Sequence, residues 1–154
     1  MKILLIHNPF KLSNPKTYLS WAIRKVTRSH WNHCAVELEI DNTIYISDFQ
    51  SHYKFREKYL YWATEATNRE VKTIYVESEL TDKRIQRACL NATKYKGYDF
   101  IKIVNHFTKI KFGFTIFTEN PDRFVCSEWV EFLRTGKQVN WAVPEDFENI
   151  PDKV

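Results

Sequence analysis

Apolar residues along this chain recur at two spacings, and the switches between them outline a fold. Residues 2–7 (KILLIH) hold an unbroken apolar run, Ile3 to Ile6, which Asn8 and Pro9 end. That length suits a buried strand. Residues 15–28 place Leu19, Ile23 and Val26 on one helical stripe, with Ser13 or Asn14 as cap and Pro15 in the first turn. Residues 33–40 (HCAVELEI) and 43–49 (TIYISDF) both alternate, and Asp41-Asn42 between them is a turn signal, so the two predict a β-hairpin. Residues 71–77 predict a further strand. Residues 81–95 predict a helix capped by Thr81, with Ile85, Ala88, Cys89 and Ala92 facing inward and Gly97 as its stop. Residues 109–117 (KIKFGFTIF) alternate again, with Ile110, Phe112, Phe114 and Ile116 on one face of a half-buried strand. Residues 126–135 predict a helix that opens at Cys126 and closes at Gly136, and the tail WAVPEDFENI reads as irregular with apolar anchors. Helices and strands do not alternate regularly. The expected fold is therefore α+β, an antiparallel β-sheet in one domain over residues 1–154, not a doubly wound parallel sheet.

Composition changes this picture only at the margins. With 154 residues, 44% of them hydrophobic, there is apolar matter for one core and little room for a second. A net charge of +4 is mild and does not demand nucleic acid; the aromatics and lysines of 94–112 could form a basic, aromatic surface, but acidic residues are spread through the chain, so no specific nucleic-acid partner is expected. Three cysteines, Cys34, Cys89 and Cys126, cannot build a disulfide framework and suit a reducing compartment or a reactive thiol. The Ile3–Ile6 run is too short for a secretory core, and no stretch approaches a membrane helix. The expectation is a cytoplasmic protein of bacterial or bacteriophage origin, without integral membrane association and with no sign of its oligomeric state.

The chemistry centres on Cys126. At a helix N-terminus, unpaired backbone N–H groups stabilise a thiolate and can also receive a developing oxyanion. The plainer account is a buried cysteine that behaves as a small apolar side chain. A nucleophilic thiol needs a base, and His33 opens the first hairpin strand. If Asp41-Asn42 is a two-residue turn, Ile40 pairs with Thr43 and Ala35 with Asp48, which puts Asp48 on the face of His33. A one-residue change in the turn would put Ser47 there instead. His30, His33 and Cys34 lack a fourth ligand at metal-binding spacing, so no metal and no cofactor are expected. The other histidines have no evident partners, and Cys34 and Cys89 read as core.

Several segments then resemble a known family. GYDFIKI followed by DRFVCSEWVEFL resembles the Gly-x-x-Tyr-Asp…Phe/Tyr-x-Cys-Ser-Glu-x-Val pattern of circularly permuted papain-like proteins. These form the YiiX-like branch of the NlpC-type cell-wall peptidase superfamily and include relatives of lecithin:retinol acyltransferase. SHWNHCAVELEI resembles the strand that carries the family's histidine, and VPEDF the segment after its cysteine helix. The likeness runs from about Ser29 to Phe147. It implies Cys126 as nucleophile, His33 as base and Asp48 as third polar residue. It also implies Tyr98 as a substrate-binding residue near the thiol, and Glu128 as a recurring acid that can be purely structural. The implied activity is that of a thiol protease, amidase, esterase or acyltransferase acting on a small-molecule, peptide or acyl substrate through a thioester. The implied alternative is a non-catalytic module on the same fold that binds a small amphipathic ligand or a protein. Two family features are absent: the opening Gly-Asp pair, and the Pro before Tyr98, where Gly97 stands. Both bear on substrate recognition.

Overall fold

The computed structural model describes residues 1–9, 18, 21, 24–25, 28–49, 52–64, 68–95, 100–118, 120, 122–139 and 142–151. The chain is α+β. Strands β1 (Lys2–His7), β2 (His33–Ile40), β3 (Thr43–Phe49), β4 (Tyr53–Glu57) and β5 (Glu70–Tyr75) form one antiparallel sheet in the order β4-β3-β2-β1-β5. The helices are α1 (Lys58–Thr64), α2 (Asp82–Asn91), α3 (Phe100–Phe112), α4 (Cys126–Thr135) and α5 (Pro144–Glu148), with a 3-10 turn at Ala92–Lys94 after α2.

The hairpin β2–β3 closes as its turn signal requires. Asp41 and Asn42 both take positive φ, 49° and 61°, which short polar side chains tolerate. The register runs from Ile40–Thr43 to Val36–Ser47. This alternation gives the sheet two apolar faces. On one, Ile3, Leu5, Cys34, Val36, Phe49 and Ile74 pack with Ile85 and Cys89 of α2 and Trp129, Val130 and Leu133 of α4. On the other, Leu4, Ile6, Ala35 and Ile46 pack with Tyr61 of α1. Glu37 shares that second face and is held by Lys2 at 2.8 Å and by Lys58, at the start of α1, at 2.6 Å.

The expected helix over 15–28 lies mostly outside the described residues; Tyr18, Trp21, Arg24 and Lys25 within it are helical. Gly97 also lies outside them. The expected strand at 109–117 is corrected. Residues up to Phe112 continue α3, and Gly113 ends that helix at φ 82° with its N–H on the Lys109 carbonyl at 3.0 Å. The residues that follow Gly113 belong to no strand, and Phe112, Phe114 and Ile116 are exposed, not half-buried. Helical order arriving from Phe100 overrides the two-residue alternation. The tail, expected to be irregular, contains α5.

Candidate active site

Helix α4 begins at Cys126, and Gly136 ends it in the left-handed conformation at φ 72°. A side chain at Gly136 would lie 2.7 Å from Leu80 Cδ2, so both the conformation and the close approach of Leu80 call for glycine. At its other end the Glu128 carboxylate accepts the Val125 N–H at 3.4 Å and the Lys102 ammonium at 2.8 Å. Lys102 also donates to the Arg123 carbonyl at 3.1 Å, so α3 is pinned to the turn that leads into the cysteine. Ser127, next to Cys126, donates to the Ala142 carbonyl. The first turn of α4 is therefore fixed from three directions.

Helix α4 packs on β2. The ladder with β3 stops at Val36, so the first residues of β2 run beyond it. There the Cys126 thiol meets His33 and Cys34 together. The His33 ring hydrogen-bonds the thiol, and its Nε2–H donates to Asp48 Oδ1 at 2.6 Å. With Nε2 committed to Asp48, Nδ1 is the nitrogen left for sulfur. Tyr61 completes the array, donating its hydroxyl to Asp48 Oδ2 at 2.7 Å. Asp48 is fully buried, His33 is 5% exposed and Cys126 3%. Ser47 lies on the opposite face, where its hydroxyl accepts the Trp129 indole N–H at 2.9 Å and neighbours the Tyr53 hydroxyl at 3.0 Å. The register thus puts Asp48, not Ser47, beside His33.

Electrostatics follow from this geometry. The Cys34 thiol, donating to the Cys126 sulfur, is the largest influence that holds Cys126 well below an ordinary thiol. Burial opposes it, while the His33 charge, the His33 hydrogen bond and the Cys34 backbone N–H reinforce it. Burial pushes His33 down, but the Asp48 charge and the adjacent Cys126 thiolate outweigh it and raise His33 from 6.5 to about 10. These influences favour the thiolate–imidazolium form of the pair. Burial, followed by the bond to Cys126, pushes Cys34 well above the ordinary thiol value. The sequence reading took Cys34 as plain core. It is buried, yet its thiol touches the reactive sulfur.

Cys126, His33 and Asp48 are brought together. Tyr98 lies outside the described residues. Glu128 faces Lys102 and the α4 entry, a structural part. Sequence reasoning missed Tyr61, which comes from a helix that the pattern did not reveal. It also left His7 without partners, whereas His7 Nδ1 donates to the His30 carbonyl at 3.0 Å and its Nε2 accepts from the Arg24 guanidinium at 3.2 Å. His7, His30 and Glu70 each bring one possible ligand atom within 4.8 Å of the others. Both His7 nitrogens are already engaged, one of them by a cation, and this suits a hydrogen-bonded cluster better than a metal. Burial, with the Arg24 charge, lowers His7 accordingly. Among the described residues, one cavity of about 360 Å³ lies beside α5 and another, of about 240 Å³, beside Met1 and Ile85. Neither is lined by Cys126, His33 or Asp48. No protein-family model matches this chain, and no curated protein matches it.

Proposed function

We propose that the protein is a cysteine hydrolase or acyltransferase of the permuted papain-like type, with Cys126 as nucleophile, His33 as general acid–base and Asp48 as the group that orients the ring. The observation that carries this reading is the His33 ring between two partners, the Cys126 thiol on one side and Asp48 Oδ1 at 2.6 Å on the other. Asp48 holds Nε2–H and so turns Nδ1 toward sulfur. The thiolate attacks the carbonyl carbon of an amide or ester. The oxyanion is received by N–H groups of the first turn of α4, which have no intrahelical acceptors. His33 passes its proton to the leaving amine or alcohol, and a thioester remains. Water, or an acceptor amine or alcohol, then attacks the thioester while His33 takes the proton back. The family likeness adds Tyr98 as a residue that contacts substrate.

Alkylation tests the reading directly. Cys34 and Cys89 are both raised by burial, so iodoacetamide labelling at about pH 6 reports Cys126. Cys126→Ala is expected to abolish that labelling together with amidase and esterase turnover. Unchanged turnover in the variant refutes the assignment.

A second reading, a non-catalytic module that binds a small amphipathic ligand or a protein, draws support from the near-complete burial of Cys126 and His33. Alkylation rate against pH separates the two. An ordinary thiol titration favours the module, because binding alone gives no reason to maintain a thiolate.

A further inference from the structure

Helix α3 turns polar side chains inward beside Ile103, which packs against the core. Its buried positions include Lys102, Asn105 and Thr108 on one side, while Ile101, Val104 and Phe107, one residue earlier in each turn, are exposed. A surface helix ordinarily does the reverse. The inward polar groups are satisfied where they lie. Lys102 holds Glu128, and the Thr108 hydroxyl donates to the Asn105 carbonyl at 3.1 Å. The Asn105 amide fastens the chain that returns after Gly113: its Nδ2 donates to the Phe117 carbonyl at 2.7 Å, and its Oδ1 accepts the N–H groups of Ile116 at 3.2 Å and Phe117 at 3.0 Å. The returning segment is thus held by its backbone, and Phe114, Ile116 and Phe117 remain at least 51% exposed beside Phe112. Phe112 joins this surface to the helix, with ring centroids 6.5 Å from Phe107 and 6.1 Å from Phe114.

Within residues 100–118 the Lys, Arg, Asp and Glu side chains carry one sign of charge. Residues 100–118 contain Lys102, Lys109 and Lys111 and no Asp or Glu. Lys102 lies buried against Glu128, and Lys109 and Lys111 lie at the surface. The Lys111 ammonium lies 5.5 Å from the Phe107 ring centroid and 5.4 Å from that of Phe112, a charged tip lying over apolar surface. No helix among the described residues is long and apolar enough to cross a membrane.

We propose that α3 and the segment after it form a docking surface for an anionic lipid bilayer, with the phenylalanines at the acyl boundary and Lys109 and Lys111 among the headgroup phosphates. Large exposed aromatics flanked by lysines without acids are what such an interface takes up. A second copy fits less well, because a two-fold contact would set these lysines against themselves.

Vesicle co-sedimentation of the full chain tests this. The protein is expected to pellet with phosphatidylcholine vesicles that contain about one-fifth phosphatidylserine, and more weakly with phosphatidylcholine alone. Phe114→Ser/Phe117→Ser should lower partitioning about tenfold or more. Lys109→Gln/Lys111→Gln should lower it about twenty-five-fold on anionic vesicles only. Circular dichroism of both variants should match the parent, since the segment is held through backbone groups. Cys126→Ala should pellet like the parent, so docking and catalysis stand or fall separately. A parent protein that stays in the supernatant with both vesicles overturns the proposal, as does pelleting that neither pair of substitutions alters. A dimer broken by Phe114→Ser/Phe117→Ser, without pelleting, assigns the surface to a second copy and overturns it too.

Discussion

Asp48 is fully buried, and both of its oxygens are used, Oδ1 by His33 and Oδ2 by Tyr61. An ionised carboxylate in that position depends on every donor it has. Tyr61→Phe removes the Oδ2 donor and leaves the ring in place. The expected cost is about 1–3 kcal/mol of unfolding free energy, read from the urea midpoint. Tyr59→Phe serves as the control, because Tyr59 is 67% exposed and its loss should leave the midpoint unmoved. The neighbouring contacts differ in how far the residues alone could announce them. His33 and Asp48 were legible because a two-residue turn fixes pairing by counting, and the positive φ angles of Asp41 and Asn42 show that turn. Tyr61 was not, since a helix crossing a sheet face carries no register along the chain. Cys34 was half legible. Strand alternation puts it opposite His33, but at the start of β2, past the end of the β3 ladder and paired there only with Leu5 and Ile6 of β1, both side chains reach one sulfur.

At the level of elements, α4 is held by α3 through a pair with almost no solvent around it. Lys102 is 5% exposed and Glu128 2%, at 2.8 Å. Removing one partner leaves a buried charge alone, so Lys102→Met should cost about 3–5 kcal/mol in a denaturant titration. Lys102→Met/Glu128→Gln should recover most of that loss, because the stranded carboxylate is then gone. If the double variant is as unstable as the single, the pair is not what ties α3 to the α4 entry. The same two helices show why element boundaries were unevenly legible. The α4 span was plain from Cys126 to Gly136. Alternation at 109–117 imitated a strand because Phe112, Phe114 and Ile116 face outward in a segment whose backbone Asn105 fastens. Strand β4 was missed for a related reason. It lies at the sheet edge, and YKFRE carries charges that an edge strand accommodates and a hydrophobic pattern does not register.

Across the whole molecule, the buried thiolate–imidazolium pair should leave a mark on stability against pH. His33 is raised from 6.5 to about 10, so its contribution is complete below 6.5 and is lost as pH rises through about 10. Cys126 is lowered from 9.0, so its contribution is complete above 9.0 and is lost as pH falls through its depressed value. Above both 6.5 and the depressed Cys126 value, and up to 9.0, the two slopes oppose each other: the unfolded chain holds one proton on the thiol, and the folded chain holds one on the imidazole. Proton counts are then equal, and stability from the pair should be flat. Above 9.0 the unfolded chain has lost its thiol proton while the folded chain keeps the imidazolium until about 10, so stability should fall there. The difference in urea midpoint between the parent and Cys126→Ser/His33→Gln isolates this from other titrating groups. A plateau followed by an alkaline fall is expected. A difference that instead declines steadily from 6.5 onward would mean that Cys126 stays protonated in the folded protein, with the imidazolium held by Asp48 alone.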